Sequence, residues 1–247
     1  MVVRQMPRPA CQCQCGAGIA AAMARFPFDI VGFDLDGTLL DTSADLAAAA
    51  SAALAHAGRP PLSAEDVKPM IGGGIRMMLE HGLKASGGAD PALLDDLYPR
   101  MLDHYRDNIS AGTVPYPGLL DALDRFDAMG VKAAVVTNKL ESLALKLLDE
   151  LGLTPRFSAI LGGDTMGKGN AKPSAAPIHE MIRRSGGGRA AFVGDSIFDV
   201  MAAKNAGIPS VAVSFGFLMQ PVAELGADAI IDDYAELIPA LERLGTA

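Results

Sequence analysis

From residue 116 to the C-terminus, the chain alternates short apolar runs with longer segments whose apolar residues have helical spacing. The apolar runs lie at 133–136, 159–161, 191–193, 211–213 and 230–231, and an earlier one occupies 30–33. Alternation of strand and helix patterns is typical of a parallel sheet that is covered by helices. We therefore predict an α/β fold with a parallel sheet at its core.

The segment between residues 43 and 115 interrupts this alternation, because it contains helical patterns and no convincing strand. Apolar residues recur at helical spacing around 75–83 and again around 93–102. A turn-forming Tyr-Pro-Gly sequence at 116–118 ends the segment. We predict an all-helical domain at 43–115, inserted into a core made of residues 23–42 and 116–247.

The first 22 residues contain all three cysteines, Cys11, Cys13 and Cys15. We predict a disordered N-terminal extension over 1–22, or a native start at Met23. Three cysteines are too few for the usual structural zinc site, which has four ligands separated by wider loops. The rest of the chain cannot form an internal disulfide, which fits a reducing compartment, and we expect a cytoplasmic protein.

Composition argues against two classes of partner. The net charge of −8 is unfavourable for binding nucleic acid, which requires basic surface stripes. No run approaches the roughly 18 to 20 apolar residues that a membrane span needs. We therefore expect neither a nucleic-acid partner nor a membrane partner, and the sequence leaves open whether the protein is a monomer or a homodimer.

Two carboxylates follow the first predicted strand. The chain reads Phe-Asp-Leu-Asp-Gly-Thr at 33–38, so Asp34 and Asp36 lie at the end of the apolar run, before the turn-forming Gly37. In open α/β sheets, ligands bind at the carboxyl ends of the strands. We therefore predict that a rigid strand holds Asp34 and Asp36 at a ligand site.

Further polar groups occur at or beyond the ends of other predicted strands. Thr137-Asn138-Lys139 follows the run at 133–136, Lys172-Pro173 lies in a Gly-rich stretch, and Asp195 and Asp199 follow the run at 191–193. A single Asp in such a position is more often a helix N-cap or a turn residue. Four groups at one edge of one sheet indicate a functional site instead.

The chemistry of these groups is compatible with phosphoryl transfer. Three converging carboxylates repel one another unless a cation lies among them, and oxygen ligands select a hard cation such as Mg²⁺. The Thr137 hydroxyl and the Lys172 ammonium can donate to a phosphoryl group. One carboxylate can attack phosphorus, while a second acid protonates the leaving group and later activates water.

Together the four motifs resemble those of the haloacid dehalogenase superfamily of phosphatases. The motifs, in the order of the family, are Phe-Asp-Leu-Asp-Gly-Thr at 33–38, Val-Thr-Asn at 136–138, Lys-Pro at 172–173 and Val-Gly-Asp-Ser-x-x-Asp at 193–199. The resemblance extends from about residue 27 onward and is strongest to the phosphoglycolate phosphatase group. It implies a Rossmann-like core whose helical insert acts as a cap over the site.

The resemblance also implies roles for the acidic residues. Asp34 would be the nucleophile that becomes phosphorylated, and Asp36 would be the general acid and base. The Asp34 side chain, the Asp36 backbone carbonyl and Asp195 would bind Mg²⁺. Asp199 would lie close to the ion or bind it through water.

For the phosphate, the resemblance implies contacts from Thr137 and Asn138. Lys172 would hold both the nucleophile and the phosphoryl oxygens. Asp164 is either a turn residue or an acid that orients Lys172, and the family likeness favours the second role.

A glycine triplet, Gly72-Gly73-Gly74, precedes a predicted helix in the insert and resembles the substrate-facing loop of the family's cap. Glycines permit close backbone approach to a ligand, and a helix N-terminus favours an anion. A flexible turn between helices is the alternative. Arg76 could pair with a substrate carboxylate, although a solvated arginine is the simpler interpretation.

The resulting prediction is a Mg²⁺-dependent phosphatase for a small phosphorylated metabolite. Its reaction would convert 2-phosphoglycolate to glycolate and phosphate through an aspartyl-phosphate. A phosphatase for a sugar phosphate or pyrophosphate and a phosphomutase are the alternatives within the superfamily. A non-catalytic protein with the same fold would be expected to lack Asp34.

Overall fold

The computed structural model describes residues 25–246 of the chain. The predicted extension at 1–22, with Cys11, Cys13 and Cys15, therefore lies outside the described residues. Within 25–246, no helix combines the length and the apolar character that crossing a membrane requires.

Six parallel strands form the central sheet. In chain order, the strands of the described residues are β1 (Ile30–Phe33), β2 (Leu40–Asp41), β3 (Val114–Pro115), β4 (Lys132–Val136), β5 (Phe157–Leu161), β6 (Ala190–Gly194), β7 (Ser210–Val213) and β8 (Ala229–Ile231). The sheet order is β5-β4-β1-β6-β7-β8, and each neighbouring pair is parallel. The predicted α/β fold with a parallel sheet is confirmed.

Helices cover the sheet and also form the insert. In the described residues they are α1 (Ser43–His56), α2 (Ala64–Val67), α3 (Ile75–Ala85), α4 (Pro91–Asp107), α5 (Leu119–Met129), α6 (Glu141–Glu150), α7 (Ala176–Arg184), α8 (Ile197–Ala206) and α9 (Leu237–Gly245). Helices α5 to α9 connect or follow strands of the sheet. Helices α1 to α4 follow one another between β2 and β3, and we call residues 43–109 the helical insert.

Strand β1 is fully buried because helices cover both faces of the sheet. Phe33 lies in the apolar cluster on one face, where its ring centroid is 6.3 Å from that of Phe126 in α5. On the opposite face, a side chain at Gly32 would place Cβ 2.3 Å from the sulfur of Met181 in α7. Burial of each large apolar side chain stabilises the fold by ~1.5–3 kcal/mol, so β1 is a firm support for the residues that follow it.

The strand register brings the predicted site residues to one edge of the sheet. Phe33 of β1 lies opposite Val135 of β4 and opposite Val193 of β6. Asp34 and Asp195 therefore follow adjacent strands, with Asp195 one residue further along than Asp34. The carboxyl ends of β4, β1 and β6 form the edge on which the sequence places its polar groups.

A short antiparallel pair lies where the chain enters and leaves the insert. Leu40 of β2 lies opposite Pro115 of β3, and Asp41 lies opposite Val114. The last two residues of the segment predicted as helical therefore form a strand. Pairing with distant residues orders Val114–Pro115, and a strand of two residues leaves no periodic pattern that a sequence could reveal.

Asp45 of α1 links the start of the insert to residues 112–113, which lead from the insert back to the core. Its Oδ1 accepts a hydrogen bond from the Gly112 backbone nitrogen at 2.8 Å, and its Oδ2 accepts one from the Thr113 hydroxyl at 2.7 Å. Because this carboxylate is buried, its two hydrogen bonds hold both junctions of the insert together.

Candidate active site

Asp34 lies buried at the end of β1, with only 3% of its surface exposed. Its Oδ1 accepts a hydrogen bond from the Leu35 backbone nitrogen at 2.7 Å and lies 2.8 Å from the Lys172 Nζ. Burial raises the pKa of Asp34 to about 6, although the charge of Lys172 opposes the shift. Burial thus disfavours the ionised form of Asp34, and nearby positive charge stabilises it.

Asp36 lies two residues further on and has different partners. Lys139 Nζ lies 2.5 Å from Asp36 Oδ1 and 2.7 Å from Oδ2. The Thr42 hydroxyl donates a hydrogen bond to Asp36 Oδ1 at 2.7 Å. Burial alone would lower the pKa of Lys139. The negative charge of Asp36 outweighs burial, so the pKa of Lys139 is raised. The two acids of the first motif therefore occupy separate electrostatic surroundings.

Lys172 is buried between two carboxylates. Its Nζ lies 2.5 Å from Asp199 Oδ1 in addition to its contact with Asp34. Burial alone would lower the pKa of Lys172, but Asp199 and Asp34 raise it. Asp199 Oδ2 accepts hydrogen bonds from the Ser196 backbone nitrogen at 3.0 Å and from its hydroxyl at 2.5 Å, which is a capping box at the start of α8. The helix start thus fixes Asp199, and Asp199 fixes Lys172.

Asp164 does not orient Lys172. Its side chain is exposed, and its Oδ1 accepts a hydrogen bond at 2.8 Å from the backbone nitrogen of Glu141, the first residue of α6. The orienting role that the family likeness favoured for Asp164 is therefore wrong, and the alternative of a turn residue agrees with the hydrogen bond that the Asp164 carbonyl accepts from the Gly167 backbone nitrogen. An acid beside the first turn of a helix satisfies an unpaired N–H group, and this local use explains the residue better than a catalytic one.

Asp195 follows β6 and is buried beside Asp34. Its Oδ2 accepts a hydrogen bond from the Phe217 backbone nitrogen at 2.5 Å, and its Oδ1 lies 3.4 Å from the Thr38 hydroxyl. Burial raises its pKa, and the charges of Asp199 and Asp34 raise it further. A side chain at Gly37, where φ is +81°, would place Cβ 2.1 Å from Asp195 Oδ2. Glycine at this turn therefore leaves room for the carboxylate.

Three of the predicted metal ligands converge. Carboxylate oxygens of Asp34, Asp195 and Asp199 all lie within 4.8 Å of one another. With Asp36, four carboxylates face two ammonium groups, Lys139 and Lys172, which leaves an excess of negative charge. This all-oxygen donor set and its charge fit a hard divalent cation such as Mg²⁺. The Asp36 side chain is outside the cluster because it pairs with Lys139, as a backbone-carbonyl role for Asp36 allows.

Thr137 and Asn138 follow β4 beside these acids. The Thr137 Oγ1 accepts a hydrogen bond from the Lys139 backbone nitrogen at 3.2 Å, and within residues 25–246 its own hydrogen has no acceptor and can be donated to a ligand. The Asn138 side-chain nitrogen donates to the Gly72 carbonyl at 3.0 Å and to the Lys172 carbonyl at 3.2 Å. Asn138 therefore links the insert to the core, and its predicted contact with phosphate stays a prediction.

The glycine triplet lies over the same edge of the sheet. Gly72 and Gly74 have φ angles of +123° and +91°, and a side chain at Gly74 would place Cβ 3.3 Å from the Asn138 carbonyl oxygen. Gly72 and Gly74 line a chamber that also contains Asp34 and Asp36. Gly73 faces a neighbouring groove. Positive φ explains glycine at Gly72 and Gly74, and the close approach to Asn138 adds to it at Gly74.

Arg76 is not brought into that chamber. Its NH2 lies 2.5 Å from Asp95 Oδ1, and its guanidinium carbon lies 5.4 Å from the centroid of the Tyr98 ring. About half of its side-chain surface is exposed, and it lines the neighbouring groove. These contacts agree with the simpler interpretation of Arg76 as a solvated arginine on a helix.

The structure adds three residues to which the sequence assigned no role: Thr42, Tyr105 and Lys139. Lys139 is adjacent to a predicted motif, but its ion pair with Asp36 joins residues that are 103 positions apart. Tyr105 follows Leu97 and Met101 at four-residue spacing on the buried face of α4. That spacing could have indicated burial, whereas its location beside Lys139 depends on the tertiary structure.

Comparison with known proteins places the chain in a family. Residues 31–213 match the family model described as haloacid dehalogenase-like hydrolase. The chain belongs to this family. The resemblance inferred from the four motifs is thereby confirmed.

Curated relatives cover most of the chain. The phosphoglycolate phosphatase of Agrobacterium fabrum is 43% identical over 212 residues, which are 85% of this chain and 90% of the relative. That of Caulobacter vibrioides is 39% identical over 220 residues, which are 88% and 92% of the two chains. A crystal structure of a predicted phosphoglycolate phosphatase from Haemophilus somnus superposes with a TM-score of 0.79 at 29% identity, covering 86% of this chain and 97% of that one.

Proposed function

We propose that this protein is a Mg²⁺-dependent phosphatase that hydrolyses 2-phosphoglycolate to glycolate and phosphate through a phosphorylated Asp34. The observation that carries the proposal is the separate placement of two acids. Asp34 is buried beside Lys172, whereas Asp36 is held by Lys139 and Thr42. Acids in different surroundings can perform different steps of one reaction. The substrate is suggested by relatives that are named phosphoglycolate phosphatase.

In the first step, a carboxylate oxygen of Asp34 attacks phosphorus, and the bond from phosphorus to the glycolate oxygen breaks. Asp36, which is protonated when the substrate binds, gives its proton to that leaving oxygen. In the second step, Asp36 takes a proton from a water molecule as the water attacks the phosphorus of phosphorylated Asp34. Phosphate leaves, and both aspartates return to their starting states.

Lys172 and Thr137 stabilise the transferring group in this scheme. The Lys172 ammonium lies 2.8 Å from Asp34 Oδ1, so it is next to the oxygen atoms of a phosphoryl group that Asp34 accepts. Thr137 offers a free hydroxyl hydrogen at the end of the adjacent strand. Fixed donors of this kind stabilise charge that develops in the transition state.

The acidic cluster supplies a place for Mg²⁺. Asp34 and Asp195 would hold the ion, and Asp199 lies close to both. When bound there, Mg²⁺ would offset the negative charge of the site and would polarise the phosphoryl oxygens. Burial is the main cause of the raised pKa values of Asp34 and Asp195, and a cation between the two groups would favour their charged forms.

The helical insert selects the substrate as a cap in this proposal. Gly72 and Gly74 face the acids across a chamber whose volume is about 30 Å³. Ile71, Ile75 and Met78 of the insert add an apolar wall. Gly74 and Ile75 also line the larger neighbouring groove, so the insert contributes residues to both parts of the site.

Measurement of phosphate release with Mg²⁺ tests the proposal. We expect a higher kcat/KM for 2-phosphoglycolate than for sugar phosphates and pyrophosphate, and we expect Asp34→Asn to abolish release from every substrate. Asp95→Asn, which removes an exposed acid of the insert, is the matched control. A preference for a sugar phosphate would contradict the substrate assignment, and full activity of Asp34→Asn would contradict the mechanism.

A further inference from the structure

Among the described residues, the buried Tyr105 hydroxyl has no hydrogen-bond partner of normal geometry, although the Lys139 ammonium lies close enough to interact with it. Tyr105 belongs to α4 of the insert, is 1% exposed and lines the chamber that contains Asp34 and Asp36. Buried hydroxyl groups nearly always have a partner, because an unpaired one loses its hydrogen bonds to water without replacement. The hydroxyl therefore points to a ligand or a water molecule in the chamber.

The Lys139 ammonium lies beside this hydroxyl. Its Nζ is 4.8 Å from the centroid of the Tyr105 ring and contacts both oxygens of Asp36. Lys139 is the one cation among the described residues that line the chamber, whereas Lys172 contacts Asp34 and lines the neighbouring groove. An ammonium has three N–H donors, so one can serve a ligand while Asp36 keeps its contacts.

The chamber thus contains a second polar group besides Asp34. Asp34 receives the phosphoryl group, and Tyr105 and Lys139 offer a hydroxyl and an ammonium beside Asp36 in the wall of the same chamber. The remaining walls are largely apolar, with Leu46, Leu140 and Leu143 from α1 and the α6 region. A ligand that matches this lining carries a phosphate, a short apolar link and a second anionic group.

We propose that Tyr105 and Lys139 bind the carboxylate of the substrate and so determine its specificity. This inference rests on the proposed function and assigns a substrate contact to the core residue Lys139 and the insert residue Tyr105 together. Arg76, the arginine next to the glycine triplet, is engaged by Asp95 and Tyr98 outside the chamber. The ligand that fits this arrangement is a carboxylic acid with two carbon atoms and one phosphate group.

Tyr105→Phe is the most direct variant, because it removes only the hydroxyl and keeps the buried ring. The full chain is assayed with Mg²⁺ against 2-phosphoglycolate and against 2-hydroxyethyl phosphate, which has the same length and no carboxylate. We expect Tyr105→Phe to lower kcat/KM for 2-phosphoglycolate about 10-fold or more, mainly through KM, as loss of a hydrogen bond to a charged group does. The preference for 2-phosphoglycolate over 2-hydroxyethyl phosphate falls by the same factor.

Tyr98→Phe is the matched control, since Tyr98 lies on the same helix but lines the neighbouring groove. Its preference for the carboxylate substrate should equal that of the wild type. Lys139→Met should also reduce the preference for 2-phosphoglycolate over 2-hydroxyethyl phosphate. It should lower kcat/KM for both substrates as well, because Lys139 contacts Asp36. Inhibition by glycolate gives an independent measure, and its inhibition constant should rise in Tyr105→Phe and in Lys139→Met.

The possible failures are distinguishable. If the wild type hydrolyses 2-phosphoglycolate but Tyr105→Phe and Lys139→Met keep the wild-type preference and glycolate inhibition, the inference is overturned and the proposed function stands. If the wild type does not hydrolyse 2-phosphoglycolate, the proposed substrate is wrong and the inference falls with it.

Discussion

Lys172 lies 2.5 Å from Asp199 and 2.8 Å from Asp34, so one buried ammonium joins the last acid of the fourth motif to the first acid of the first. Asp199 is itself held by the capping box at the start of α8. The position of the candidate nucleophile therefore depends on a helix start that follows a different strand. We expect substitutions at Lys172 and Asp199 to affect Asp34 as well.

Lys172→Met should destabilise the metal-free protein and abolish phosphatase activity. It leaves Asp34 and Asp199 buried without their shared cation, and breaking a buried pair costs about 3 kcal/mol or more in the free energy of unfolding. Urea unfolding measures this change. Lys146→Met is the control, because Lys146 pairs with Glu150 on an exposed helix face and should change stability little. Equal stability of the two variants would contradict the account of Lys172.

Asp36→Asn should lower kcat for 2-phosphoglycolate about 100-fold or more, the usual scale for loss of a general acid and base. The loss in the first step should be smaller for p-nitrophenyl phosphate, because nitrophenolate leaves without needing a proton. Comparison of pre-steady-state product bursts with the two substrates measures the difference.

Asp164→Asn is the control for Asp36→Asn, since the structure places Asp164 at the start of α6, where asparagine can also cap. Its activity should be close to that of the wild type. Wild-type turnover of 2-phosphoglycolate by Asp36→Asn would remove Asp36 from the mechanism.

The sequence predicted the strands of the sheet well because each of these strands is a local run of apolar residues. The runs at 30–33 and 133–136 are continuous apolar segments, and the structure contains strands over Ile30–Phe33 and Lys132–Val136. A strand buried on both faces must be apolar along its whole length, so its pattern is visible locally. The pair β2 and β3 gave no such signal, because two residues cannot show a period.

The sequence predicted most residues of the site, but it did not predict several contacts between them. The four motifs named Asp34, Asp195, Asp199 and Lys172, which the structure brings together. The sequence could not show that Lys139 pairs with Asp36 or that Tyr105 reaches the same chamber, because these contacts depend on how the insert packs on the core. Asp164 was misassigned because a helix cap and a catalytic acid look alike in a sequence.

Mg²⁺ should stabilise the protein more at about pH 7.5 than at about pH 5. Burial raises the pKa of Asp34 from 3.8 to about 6 and raises that of Asp195, so the metal-free folded state holds protons that the unfolded chain has released. The stabilising contribution of Asp34 is complete below about pH 4 and is lost as the pH rises through about 6, and that of Asp195 is lost as the pH rises through its own raised pKa. Mg²⁺ replaces those protons, so its effect grows over the same range.

The rise in Tm on adding Mg²⁺ at the two pH values measures this dependence. Asp195→Asn should reduce the rise at the higher pH, since it removes one of the proposed ligands. An equal rise in Tm at both pH values in the wild type would contradict the placement of Mg²⁺ among these acids.

Gly37→Ala should weaken Mg²⁺ binding about 10-fold or more, as changes beside metal ligands do. The added Cβ would lie 2.1 Å from Asp195 Oδ2, and φ at this position is +81°. Gly130→Ala is the control for backbone strain alone, because its φ is +71° and no heavy atom lies within 4 Å of the added Cβ. Calorimetric titration with Mg²⁺ compares the two variants, and similar affinities would refute the proposed effect on Asp195.

The central claim is that Asp34 carries the phosphoryl group between substrate and water. Rapid acid quenching of the enzyme with radiolabelled 2-phosphoglycolate tests it most directly, with peptide mass spectrometry to locate the label. We predict that a phosphorylated peptide containing Asp34 forms and decays within one turnover, and that Asp34→Asn neither forms it nor releases phosphate. Turnover of labelled substrate without a phosphorylated protein, together with activity in Asp34→Asn, would contradict the account.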